Sequence, residues 1–137
     1  MGYNSQRYKI LEKAEVVDEE TWHRHIDAFI KNFVVKEKRH RWHHLCLEKP
    51  EKAQHESSRM YSDLMWNLCS KSDYETEIDL ASRKGKGVFY DFSGEAWWLT
   101  PADAFIVGHG YDSIFSFQEG TFAIYFWHEL EDILCEK

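Results

Sequence analysis

Eight histidines and three cysteines are the side chains of this 137-residue chain best suited to chemistry. Most of the histidines lie early: His23 and His25, then His40, His43 and His44, then His55. A strand over His40–Leu47 would place His40, Trp42, His44 and Cys46 on one face. Two imidazoles and a thiolate suit zinc. Against that reading, the chain has no HExxH, no H-x-E…C-x-x-C and no paired-cysteine spacing. His23 and His25 fall on a helix, where positions i and i+2 diverge. Neither a metal nor another cofactor is therefore expected. Gly108-His109-Gly110 with Asp112 reads as a loop that sets a histidine beside a carboxylate, a pair suited to acid–base work. Cys46, Cys69 and Cys135 are candidate nucleophiles. No GxSxG, P-loop or GxGxxG accompanies them. The expectation is a protein that is not an enzyme. The alternative is a small metal-binding or hydrolytic enzyme assembled from His44, Cys46, His109 and His128.

The carboxylates carry a sharper pattern. Asp73, Glu75, Glu77 and Asp79 alternate strictly with Tyr74, Thr76, Ile78 and Leu80. As a strand this has one apolar face and one ladder of four carboxylates, about 6.6–6.8 Å apart. The ladder is either a docking strip for a basic surface or is neutralised internally, across the sheet by Arg7, Lys9 and Lys13 and at one end by Arg83, Lys84 and Lys86. Beyond Gly87 the only lysine or arginine is Lys137, yet nine carboxylates and thirteen aromatics fall there. In that stretch Trp97 and Trp98 are adjacent, and adjacent strand residues point to opposite faces. One of them is expected to be exposed beside Glu95, where an arginine- or lysine-rich partner gains cation–π contact and charge.

These residues need elements to hold them. A first strand is expected over Arg7–Val17, interrupted at Glu12–Ala14. Asp18 reads as a helix N-cap followed by Glu19 and Glu20, with Trp22, Ile26, Phe29, Ile30 and Phe33 at helical spacing. A second helix is expected from about Lys52 to Cys69, with strands over Asp73–Leu80, Val88–Phe92 and Ala96–Leu99. Thr100-Pro101 is an N-cap followed by proline at the first helical position, opening a short helix that ends by Gly108. Tyr111–Phe117 and Thr121–Trp127 form a hairpin around Gln118-Glu119-Gly120. Phe122–Trp127, apolar on both faces, is a central strand or one covered by a partner. His128–Cys135 is open between strand and helix. The class is α+β: one domain over 1–137, a mainly antiparallel mixed sheet of about five or six strands, two longer helices and one or two short ones.

Net charge is −7 and the isoelectric point about 5.6. The basic run Lys36–Trp42 is short and broken by Glu37, so nucleic acid is not the expected partner. No apolar run is long enough to span a bilayer, no secretory signal is legible in Met1–Lys13, and the cysteines are odd in number and scattered. The expected setting is cytoplasmic. Gly2 lacks the Ser or Thr that myristoylation needs at position 6. The function these features favour is a non-catalytic, acidic-surface protein-binding module for a basic protein, most concretely an immunity protein or inhibitor that neutralises a cationic toxin such as a nuclease. Its contacts would be Asp73, Glu75, Glu77, Asp79, Glu95, Asp112 and Glu119, with Trp97 or Trp98 as anchor. A homodimer through Phe122–Trp127 is the third reading.

Overall fold

The computed structural model describes residues 3–137; Met1 and Gly2 lie outside them. Six strands form one antiparallel sheet: β1 (Cys69–Lys71), β2 (Gly87–Tyr90), β3 (Ala96–Leu99), β4 (Ser113–Gln118), β5 (Phe122–Trp127) and β6 (Glu131–Glu136). Their spatial order is β1-β6-β5-β4-β2-β3. Helices α2 (Glu19–Phe33), α3 (Arg39–His43) and α4 (Pro50–Ser62) cover one face. Helices α1 (Tyr3–Lys13), α5 (Tyr74–Ala81) and α6 (Pro101–Gly108) cover the other. The class is α+β, in three layers.

Strand β5 shows why both faces must be covered. Ala123 and Tyr125 enter the core on the first face, and Phe122, Ile124 and Phe126 enter the core on the second. Its edges are paired with β4 and β6. It is the expected central strand, and a homodimer interface built on it is overturned, since neither its faces nor its edges are open. The β3 edge is also covered. Val17 donates to the Ala96 carbonyl and Trp98 donates to the Glu15 carbonyl, each at 2.9 Å.

The capped elements fall where they were expected. Asp18 accepts from the Thr21 N–H at 3.0 Å to open α2, and Thr100 accepts from the Asp103 N–H at 3.2 Å to open α6. The β4–β5 hairpin forms as read, and the strands expected over Val88–Phe92 and Ala96–Leu99 appear as β2 and β3, which pair antiparallel.

Three expected strands are helical instead. The first, over Arg7–Val17, is largely α1: Ile10 and Leu11 of the helix, with Ala14 just past its end, pack against the second core. The second, over Asp73–Leu80, is α5: the Asp73 carboxylate accepts from the Thr76 N–H at 2.7 Å. Glu75 and Glu77 then sit in the first turn, where the helix dipole favours them. Capping chemistry outweighs the period-two pattern. The third, over His40–Leu47, is α3 running into a π-helical turn, His44–Glu48, with Trp42, Leu45 and Cys46 buried. The zinc face of His40, Trp42, His44 and Cys46 therefore does not exist. The helix expected over Lys52–Cys69 stops at Ser62, and Cys69 opens β1.

Candidate functional site

The chemistry gathers at one end of the sheet, where β2 and β5 finish and β4 and β6 begin. Helix α6 delivers His109 there. Gly108 ends that helix against the Phe126 ring, where a Cβ would stand 2.5 Å from a ring carbon. Gly110 turns the chain with φ of +85°, a value that suits glycine. The His109 Nδ1 lies 3.3 Å from both carboxylate oxygens of Asp132. Asp132, near the start of β6, is buried. Glu77 reaches the same carboxylate from α5 and hydrogen-bonds it. The expected partner of His109, Asp112, instead faces His128, with Nδ1 to Oδ1 at 3.0 Å.

Burial, the hydrogen bond to Asp132 and the charge of Asp132 push the Glu77 carboxyl up to about 7, with the Ser72 hydroxyl opposing them. Two carboxylates this close cannot both ionise cheaply, so Glu77 keeps its proton to a higher pH than an ordinary glutamate. The ordinary glutamate value is 4.5. Between that pH and about 7 the folded state holds a proton that the unfolded state has lost. Stability therefore falls as pH rises through this interval. Glu77→Gln removes the titrating group. Its stability profile should flatten between about pH 5 and 8, with a gain of about 1 kcal/mol at the upper end, discounted for solvent screening of a half-exposed side chain. Urea midpoints at the two pH values check this. A variant that keeps the wild-type dependence would place the proton elsewhere.

Around this cluster lies a groove of about 400 Å³ between α5 and α6. Tyr74, Ile78, Ala81, Phe105 and Ile106 give it an apolar wall, and Glu77, Asp132 and His109 a polar one. Tyr74 and Ile78 stand one helical turn apart and are 78% and 54% exposed. Large apolar side chains this exposed, beside convergent carboxylates, are the usual marks of a binding surface. Sequence reasoning missed them because the strand reading turned both toward the core.

Of the other expected contacts, Asp73, Glu75, Glu95 and Asp112 lie at this same end. Asp73 is partly engaged as the α5 cap. Asp79 lies further along α5, 4.0 Å from Arg83. Glu119 is at the opposite end, in the β4–β5 turn, bound to Arg24 at 2.9 Å. Trp97 and Trp98 do point to opposite faces, but each packs half-buried against a different core. The exposed tryptophan beside Glu95 is overturned. Arg7 does not meet the carboxylates of α5; it pairs with Asp91 at 3.6 Å and stacks 4.1 Å over Tyr111. Lys71 binds Glu131 at 2.9 Å.

The four residues of the enzyme alternative are not brought together. Cys46 is fully buried and burial raises its thiol pKa far above the ordinary range. His44 pairs with Glu48 at 2.8 Å. His109 and His128 lie at the carboxylate-rich end. Among the described residues no group of three or more histidine, cysteine or acidic side chains is placed to hold a metal, and no helix is long and apolar enough to cross a membrane. No protein-family model, curated protein or solved structure matches the chain.

Proposed function

We propose that this chain is a non-catalytic binding module that holds a basic protein partner at the acidic end of its sheet. The most concrete form is an immunity-type inhibitor of a cationic toxin such as a nuclease. The observation that supports it is the groove between α5 and α6, where exposed Tyr74 and Ile78 stand beside the Glu77–Asp132 carboxyl pair. A lysine or arginine side chain is the ligand with matching chemistry. Its aliphatic stem lies along Ile78, Ala81 and Ile106, and its cationic head takes the place of the Glu77 proton. Glu75, Glu95 and Asp112 steer the partner in and set the salt dependence.

The test uses the purified protein as bait, with elution by a salt gradient. A Glu75→Gln/Glu95→Gln bait is run beside it. The expected result is one basic protein, retained stoichiometrically by the wild type and released from the variant at lower salt. Co-expression should then suppress that protein's toxicity. Retention of no basic protein, or identical elution from both baits, would overturn the reading.

A further inference from the structure

Two cysteines that are distant in sequence meet on the sheet. Cys69 of β1 lies directly opposite Cys135 of β6. The Glu136 N–H donates to the Leu68 carbonyl at 3.1 Å, and four residues along the Ser72 N–H donates to the Asp132 carbonyl at 2.8 Å. These bonds bracket Cys69 and Cys135 from outside, which makes them a non-hydrogen-bonded antiparallel pair. In such pairs the Cα atoms stand about 4.5 Å apart and the side chains are closest. That lies within the roughly 4.4–6.8 Å that a disulfide spans. Both side chains enter the same core, and the thiols are in hydrogen-bond contact. Both are free and buried.

We propose that Cys69 and Cys135 are a redox modification site that closes to an intramolecular disulfide against a low-molecular-weight disulfide such as oxidised glutathione. Cys69 is the attacking thiol. It sits on a three-residue edge strand next to exposed Trp66 and Asn67, and short edge strands open locally. The hydrogen bond from its partner holds the Cys69 thiol below the ordinary cysteine range, whereas burial holds Cys135 well above it. The Cys69 thiolate attacks one glutathione sulfur, and the first glutathione leaves as thiolate. Cys135 then loses its proton and attacks the Cys69 Sγ, which expels the second glutathione thiolate. Two protein thiols are oxidised and one small disulfide is reduced to two thiols. The new bond ties β1 to β6. Because β1 runs directly into the Asp73 cap of α5, it also holds the start of the helix that walls the groove.

The experiment equilibrates the folded protein in glutathione buffers from fully reduced to fully oxidised. Samples are quenched in acid, alkylated, and read by intact mass and peptide mapping. The expected result is loss of two alkylatable thiols, a peptide containing Cys69 linked to one containing Cys135, and a midpoint temperature higher by roughly 5–15 °C. Cys46→Ala should keep the link, and Cys69→Ala and Cys135→Ala should lose it. Three alkylatable thiols at every ratio, a link to Cys46, or only stable glutathione adducts would overturn the proposal. The wild-type mass reading does not depend on any variant folding.

Discussion

Trp42→Ala should lower folding stability by about 3–5 kcal/mol, the range for removing a large buried aromatic. Trp42 has no exposed surface. Its ring lies 6.0 Å from both Phe29 and Tyr125, and so joins α2 to the sheet through α3. Its Nε1 donates to the Asp63 carboxylate at 3.0 Å, and Asp63 is itself buried. Alanine leaves a cavity and takes the donor from a buried carboxylate. Trp42→Phe separates the two effects. It keeps most of the volume but orphans Asp63, and should cost about 1–3 kcal/mol. A domain of ordinary stability, about 5–15 kcal/mol, would lose about a fifth of it or more in the alanine variant. Urea unfolding followed by circular dichroism measures both. A loss under about 1 kcal/mol for Trp42→Ala would mean that this core is not packed as described.

Tyr74→Ala/Ile78→Ala should weaken binding of the proposed basic partner about a hundredfold, or about 2.7 kcal/mol, because a few apolar anchors carry most interface energy. Both side chains are exposed on α5, so stability should change by no more than about 0.5 kcal/mol per site. The charge variants should behave differently. Glu75→Gln and Glu95→Gln act mainly on the association rate and its salt dependence, whereas loss of the anchors acts on dissociation. Surface plasmon resonance at two salt concentrations separates the rates. Unchanged dissociation in the double variant would remove the groove from the interface while leaving the acidic end in place.

Much of the fold is legible where a short segment carries its own instructions. The Asp18 and Thr100 caps, the proline after Thr100 and the Gln118-Glu119-Gly120 turn act over three or four residues, and each element appears where those residues place it. Phe122–Trp127 is apolar on both faces and is buried on both. Short alternation misleads when a cap competes with it. The alternating run Asp73–Leu80 also contains Asp73 three residues before Thr76, and the cap bond forms. As a helix the carboxylates split: Glu77 turns inward toward Asp132, while Tyr74 and Ile78 turn out to solvent.

Chain chemistry alone therefore determined the class, the capped helices, the hairpin and the acidic surplus of the last third, all of which depend on composition or on near neighbours. The meetings that build the candidate sites are long-range: Glu77 and His109 with Asp132, His128 with Asp112, and Cys69 with Cys135. Each requires a strand order and a register that no local pattern encodes. A slip of one residue between β1 and β6 would separate the thiols and turn Asp132 to the other face of the sheet. Packing of two helical layers onto that sheet selects the register, by burying Ile133 and Cys135 on one side while Leu134 packs on the other.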